Sequence, residues 1–284
     1  MTLPSGPRVA IISPYAPTIV SFRGPLIREL IRRRAQVWVL APDYTPEIRS
    51  SVQALGALPV DYVLERTGMN PLADMRCFLD LWRTLRYLRP DLVLSYMIKP
   101  VIYGTLAARL AGVSGRYTLI EGLGYAFTQD GRTSAREQVL RKLVSLLYRQ
   151  ALRYASHTYF LNPDDLQEFV TLGLVSDRRA SCLGGIGVVL DEWPVAPPVL
   201  QPITFAIVAR LLREKGVYEF VGAAREVKRR YPQTRFIILG DVDTNPGGIQ
   251  LRELRSWVRE GVVEWPGYVK DVRPFLAQTS VYVL

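Results

Sequence analysis

Short, almost wholly apolar runs alternating with helix-period segments constrain this chain more than any other feature. Val9-Ala10-Ile11-Ile12, Val37-Trp38-Val39-Leu40 and Leu92-Val93-Leu94-Ser95-Tyr96 lack the polar alternation of a half-exposed strand. A strand apolar on both faces must be covered on both faces, and helices linking such strands make them parallel. The intervening segments agree. Pro25 is expected to open a helix with Leu26, Ile27, Leu30 and Ile31 on one face and Arg28, Glu29 and Arg32 on the other. Residues 74–89 repeat Met75, Phe78, Leu81, Trp82, Leu85 and Leu88 at helical spacing before Pro90 stops the run. Further strands are expected at Tyr117–Ile120, His157–Leu161 and near Ala180, with helices at 101–111, 134–155 and from Pro163.

The segment Pro194-Val195-Ala196-Pro197-Pro198-Val199-Leu200-Gln201-Pro202 holds four prolines in nine residues, which makes a stiff linker. Beyond it the alternation restarts, with strands at 203–209, 236–239, 262–265 and 281–284 and helices at 217–230, 249–259 and 271–278. The expected fold class is therefore α/β, two Rossmann-like doubly wound parallel-sheet domains. Residues 1–193 form the first, 194–202 the linker and 203–284 the second. The sequence stops on an apolar strand with nothing to cover it, so the second domain reads as incomplete and the chain as truncated at its C-terminal end.

Composition removes several function classes. At 284 residues, 49% hydrophobic and 22% charged, the chain can bury a sizeable core. It has no 18-residue apolar stretch and no signal-like N-terminus, and Cys77 and Cys182 read as buried thiols of a reducing compartment, so a cytoplasmic location is expected. His157 is the one histidine, which leaves no parts for a His/Cys zinc site or a Ser-His-Asp arrangement. It suits a satisfied strand-end position. The net charge of +10 splits into +6 over residues 1–195 and +4 over 196–284. Such an even spread argues against a nucleic-acid arm and for acidic small ligands or an anionic membrane surface.

In open α/β sheets, ligands bind beyond the carboxyl ends of the strands. Four loops there carry chemistry. Ser13 to Pro25 brings Phe22, Arg23 and Gly24 to the start of the expected helix, which suits an anionic or hydroxyl-rich ligand. Met97-Ile98-Lys99-Pro100 places a lysine past the third strand. Glu121-Gly122-Leu123-Gly124-Tyr125-Ala126-Phe127 imitates a dinucleotide fingerprint, but Phe127 replaces the third glycine and the next helix starts too late. Arg210 leaves the first strand of the second domain, and Lys215-Gly216 opens the next helix. Two cations beside a helix dipole suit a diphosphate. Gly184-Gly185-Ile186-Gly187-Val188 and Gly240-Asp241-Val242-Asp243 add glycine-rich loops. From Arg132 to Arg153 there are six basic residues against Glu137, five of them in helix 134–155, where Leu140, Leu143, Val144, Leu147, Tyr148 and Leu152 make an apolar stripe. It can rest on anionic lipid headgroups or simply cover the core.

Taken in order, Ser21-Phe22-Arg23, Ile98-Lys99-Pro100-Val101-Ile102-Tyr103-Gly104, Glu121 to Phe127, Asn162-Pro163-Asp164-Asp165, Gly184 to Val188, Arg210 with Lys215-Gly216, and Gly267-Tyr268-Val269-Lys270-Asp271-Val272 resemble one family. It is the retaining, GT-B type glycosyltransferases of family 4, and within it the branch acting on undecaprenyl-diphosphate-linked sugars. The resemblance implies that Arg210, Lys215 and Gly216 bind the diphosphate of a nucleotide-sugar donor, with Gly24 beside it. It implies that Phe22, Arg23, Lys99, Glu121, Gly122 and Gly124 face a glycan or lipid-linked sugar acceptor. The nucleotide sugar is a co-substrate; no cofactor, metal or nucleic acid is called for, and no catalytic residue is assigned. Glu121 and Met97 depart from the residues usual in relatives, and the family's E-x7-E segment would begin beyond Leu284. Two other classes share parts of this pattern. One is a non-catalytic remnant that keeps acceptor or membrane contacts; the other is a dinucleotide-dependent sugar epimerase or reductase, which needs the glycine fingerprint missing here.

Overall fold

A computed structural model of the chain describes residues 6–66, 70–122, 135–243 and 247–284. The chain divides into two compact units, Met1–Gly187 and Val188–Leu284, so the division falls ahead of the proline-rich stretch.

The first unit is built on seven strands: β1 (Arg8–Ile12), β2 (Gln36–Ala41), β3 (Leu58–Asp61), β4 (Leu92–Tyr96), β5 (Gly115–Ile120), β6 (His157–Phe160) and β7 (Ala180–Cys182). They form one parallel sheet in the order β3-β2-β1-β4-β5-β6-β7. Helices α1 (Ile19–Arg32), α2 (Pro46–Ala54), α3 (Pro71–Leu88), α4 (Thr105–Leu110), α5 (Ala135–Leu152) and α6 (Pro163–Thr171) cover it. Strand alternation sorts the core. Val9, Ile11, Val37 and Val39 pack with Ile19, Ile27 and Val52 of α1 and α2. Ala10, Ile12, Trp38 and Leu40 pack with Leu81 and Leu85 of α3 and with Ala107 and Ala108 of α4. Both faces of each central strand are thus buried, which is why these strands carry continuous apolar runs.

Several elements differ from expectation. Helix α1 starts at Ile19, after a 3-10 turn at Ala16–Thr18, and Pro25 lies inside it. Gly24 accordingly sits within the helix and not at its N-terminus. Helix α2 and edge strand β3 were not anticipated; Pro59 is tolerated in β3 because an edge strand can spare a donor. Helix α3 begins at Pro71, where the Asn70 side chain accepts from Leu72 and Ala73 N–H. The helix expected from 101 opens with a π-helical turn, Pro100–Gly104. Cys182 is exposed, contrary to expectation, while Cys77 is buried. His157 meets Ser181 Oγ at 2.9 Å, a satisfied strand-end histidine.

The second unit has strands β8 (Thr204–Val208), β9 (Arg235–Leu239), β10 (Glu264–Gly267) and β11 (Val281–Tyr282) with helices α7 (Val217–Arg230), α8 (Leu251–Arg259) and α9 (Arg273–Leu276). Its small parallel sheet runs β10-β9-β8-β11, repeating the first four positions of the larger one. Phe220, Val221 and Ala224 of α7 and Leu254 and Trp257 of α8 bury one face with Ile207, Phe236 and Ile238. Directly after β9, Gly240 has φ 145°, and a Cβ there would lie 1.9 Å from the Ala209 carbonyl oxygen. Only glycine brings the two post-strand loops this close. Gly240→Ala is expected to cost about 1–3 kcal/mol or more of stability, measured by urea denaturation; unchanged stability would show the contact is not needed.

Candidate functional site

The strand order of the first unit reverses between β1 and β4, so its crevice opens beyond the carboxyl ends of these two strands and their neighbour β5. Ser13 follows β1 and is wholly buried. Its Oγ accepts from the Tyr96 hydroxyl at 2.7 Å, and its carbonyl accepts from the Tyr62 hydroxyl at 2.9 Å. Burial pushes the Tyr96 phenol up to about 12, so it stays a neutral donor. Over the Tyr96 ring, at 4.1 Å, lies the guanidinium of Arg23, 2% exposed. Arg23 forms an ion pair with Glu121, the residue after β5, and donates to the Phe22 carbonyl at 3.0 Å. Its Nε has no partner among the described residues. One arginine therefore ties α1 to the ends of β4 and β5. It is a buried member of the scaffold where the sequence suggested a loop guanidinium, whereas neighbouring Phe22 is 53% exposed.

Lys99 is likewise turned to internal work. Its Nζ donates to Asp74 Oδ1 at 2.8 Å and to the Glu65 carbonyl at 2.7 Å. The Tyr103 hydroxyl donates to the other Asp74 oxygen at 2.9 Å. Burial, and then the Asp74 carboxylate, push the Tyr103 phenol well up. Burial also lifts the Cys77 thiol to about 12, too high for a nucleophile. Gly122 has φ 129°, and Gly124 with the rest of its loop lies outside the described residues.

In the second unit, the loop after β8 carries Arg210, Lys215 and Gly216. Arg210 is largely exposed and meets Asp243 at 3.5 Å. Bridges from Leu211 to Val242 and from Leu212 to Gly248, together with the Arg213 N–H to Gly247 carbonyl bond at 2.9 Å, fasten this loop to the one after β9. Lys215 closes a 3-10 turn, is exposed, and has no ion pair among the described residues. Gly216, left-handed at φ 70°, caps the start of the 14-residue helix α7. Lys215 stands beside the N-terminus of α7, a place that favours an anion, and Arg210 lies five residues earlier in the same loop. Among the described residues no group of three His, Cys, Asp or Glu could hold a metal.

Sequence reasoning assigned no site role to Tyr62, Tyr96 or Asp74, and marked Ser13 and Asp243 only as members of post-strand loops. The signal for Tyr96 was its place as the last residue of an apolar strand. Asp74 and Tyr103 belong to elements far apart in sequence, and only the fold pairs them.

Two α/β units, each built on a parallel sheet with a polar loop set at the carboxyl edge of its first strand, define a protein of the GT-B type. Comparison with known proteins narrows this. Residues 21–181 match the family model for the glycosyl transferase 4-like domain, and residues 202–284 match that for glycosyl transferases group 1. The chain belongs to the glycosyl transferase 4-like family and is a glycosyltransferase. It is 27% identical to N,N'-diacetylbacillosaminyl-diphospho-undecaprenol alpha-1,3-N-acetylgalactosaminyltransferase of Campylobacter jejuni, over 98% of this chain and 74% of that protein. In fold it is similar to sucrose-phosphate synthase from Thermosynechococcus elongatus (TM-score 0.71, 13% identity, 98% of this chain and 75% of that one). It is similar also to the S. aureus MnaA–UDP co-structure (TM-score 0.60, 15% identity, 98% and 73%).

The Arg23–Glu121 pair is nearly dry, at 3% and 16% side-chain exposure. Glu121→Ala would strand a buried charge and is expected to cost about 3–5 kcal/mol, whereas Arg23→Met/Glu121→Leu should recover most of that. Urea denaturation of both variants checks this; a double variant as unstable as the single would mean the loss has another source.

Proposed function

We propose that the chain transfers a sugar, with retention, from a nucleoside-diphosphate sugar to a hydroxyl of a polyprenyl-diphosphate-linked sugar. The similarity to the C. jejuni diphospho-undecaprenol N-acetylgalactosaminyltransferase, over 98% of this chain, carries this reading. The second unit takes the donor. Arg210 exchanges its long contact with Asp243 for the diphosphate, and Lys215 and the α7 N-terminus complete the clamp. These groups stabilise charge as the diphosphate departs, the largest need of such a transfer. The first unit takes the acceptor at the crevice formed by the ends of β1, β4 and β5, with Phe22, Glu121 and Gly122 nearest the opening.

A polyprenyl acceptor keeps its tail in hydrocarbon, so the first unit works at a membrane surface, cytoplasmic and peripheral. No helix among the described residues is long and apolar enough to cross a membrane. Helix α5 supports a surface contact, because Val139 (66%), Leu143 (42%) and Leu146 (50%) are exposed at helical spacing beside exposed Lys142, Arg149 and Arg153. Arg141, in contrast, is paired with Glu168 at 2.9 Å, and the Arg136 side chain lies outside the described residues.

Arg210→Ala and Lys215→Ala are each expected to weaken transfer and nucleoside-diphosphate binding by about 1.5–3 kcal/mol. Transfer assays on a polyprenyl-diphosphate sugar and tryptophan-fluorescence titrations measure the two effects; unchanged affinity in both variants would refute the clamp. On anionic vesicles, Lys142→Glu/Arg153→Glu should lose about 1 kcal/mol per charge, more at low salt than at high. Co-sedimentation that ignores salt and both changes would make α5 a core helix only.

A further inference from the structure

Helix α8 and the outermost strand of the small sheet, β10, form a groove that the donor reading does not use. Leu251, Arg252, Arg255, Val258 and Arg259 of α8 and Trp265 of β10 line it, around a volume of about 710 Å³. Its surface is mostly apolar, and every charged residue lining it is an arginine. The Trp265 ring is fixed, because its Nε1 donates to the Gly240 carbonyl at 2.8 Å. Leu251 and Val258 are 36% and 39% exposed and stand seven residues apart. Arg252 and Arg259 share that spacing, so the groove follows two helical turns, about 10 Å. The opposite face of α8 buries Leu254 and Trp257 in the core.

The acidic residues around the groove are already engaged. Glu253 accepts from the Tyr218 hydroxyl at 3.0 Å, Glu260 pairs with Arg225 at 2.8 Å, and Glu264 pairs with Arg235 at 2.6 Å. Arg252, Arg255 and Arg259 form no ion pair among the described residues. Arg259 reaches only the Arg255 carbonyl, at 3.4 Å. A cation in the last turn suits the helix dipole, which accounts for Arg259 but not for the other two. Three uncompensated guanidiniums therefore edge a part-buried apolar surface.

We infer that this groove docks an acidic, amphipathic helix of a partner protein. Charge complementarity selects the partner: carboxylates three or four residues apart meet the arginines, and apolar side chains between them fill the space over Leu251, Val258 and Trp265. Tryptophan and arginine are also the side chains that dominate protein–protein binding energies. A helix fits better than an added strand. Pro266 offers no N–H on β10, and the pairing of β10 with β9 shifts register between Glu264 and Gly267, so the outer edge is a poor template. A single phosphate cannot span two helical turns. A bilayer is met by apolar side chains that protrude, such as Val139 of α5 at 66% exposure, not by ones set between arginines. The inference goes beyond the transferase reading and stands apart from it.

A phage-displayed library of random peptides of about 14 residues, or roughly four helical turns, is panned on the whole chain. Enriched peptides should carry Asp or Glu three or four residues apart, with Leu, Ile, Phe or Met between them. In fluorescence anisotropy, Arg252→Glu/Arg255→Glu should weaken the best peptide by about tenfold or more, and added salt should weaken wild-type binding. Arg255→Gln/Arg259→Gln removes two charges without new repulsion and should weaken it by about threefold or more, which covers a reversed variant that fails to fold. Arg83→Glu/Arg86→Glu reverses as much charge on α3, in a separate groove with Trp82 and Tyr87, and should leave the affinity within about twofold. No enrichment, enrichment without acidic residues, or affinity that ignores the α8 variants overturns the inference. Phosphatidylglycerol vesicles, inorganic phosphate or a second copy of the chain, bound through these arginines in place of a peptide, also overturn it. Co-sedimentation, calorimetry and sedimentation velocity read those three.

Discussion

The first unit depends on a buried charge being satisfied. Arg23 lies in a helix that packs against apolar strands, where an uncompensated guanidinium would cost several kcal/mol. Glu121 and the Tyr96 ring satisfy it, and in doing so they fix the ends of β4 and β5 against α1. The hydroxyls of Tyr96 and Tyr62 then settle on Ser13, which sets the end of β1. Side chains from α1 and from the ends of β1, β4 and β5 therefore tie the crevice at the sheet's reversal point together. On the proposed reading such fixed groups orient an acceptor hydroxyl.

The second unit solves a different problem. A departing diphosphate needs positive charge that is available, not charge already neutralised in the core. On the proposed reading Arg210 and Lys215 meet this need, since they stay exposed on a loop whose backbone is fastened to the one after β9. Asp243 holds Arg210 only at long range, which costs little to release. Buried, paired charge braces the crevice of the first unit, whereas exposed, loosely paired charge lies on the loop after β8 in the second.

Much of this was legible in the sequence, for identifiable reasons. Strands apolar on both faces announce a parallel sheet, and the bounds of α7 follow from its periodicity and from Gly216 before it. Arg210 and Lys215 could be grouped from the sequence because they stand five residues apart in one loop. Edge strand β3 was not legible, because its residues are exposed or only half-buried and it carries a proline. The start of α1 was missed because Pro25 looks like a first-turn proline, whereas Pro17 in the preceding 3-10 turn holds that role. Arg23 and Glu121 are 98 residues apart, and Lys99 and Asp74 are 25 apart. Composition and spacing mark such residues as candidates, but only strand order decides whether they face a ligand or each other.

The central claim is that the two units bind different substrates at the carboxyl edges of their sheets. Hydrogen–deuterium exchange with nucleoside diphosphate alone, and with a polyprenyl-diphosphate sugar alone, tests it most directly. The account predicts that the nucleotide slows exchange at residues 209–217 and 240–243 and leaves the first unit unchanged. The lipid-linked sugar should slow residues 13–24, 96–100 and 121–122 and leave the second unit unchanged. Protection of the same segments by both compounds, or the two patterns exchanged, would contradict it.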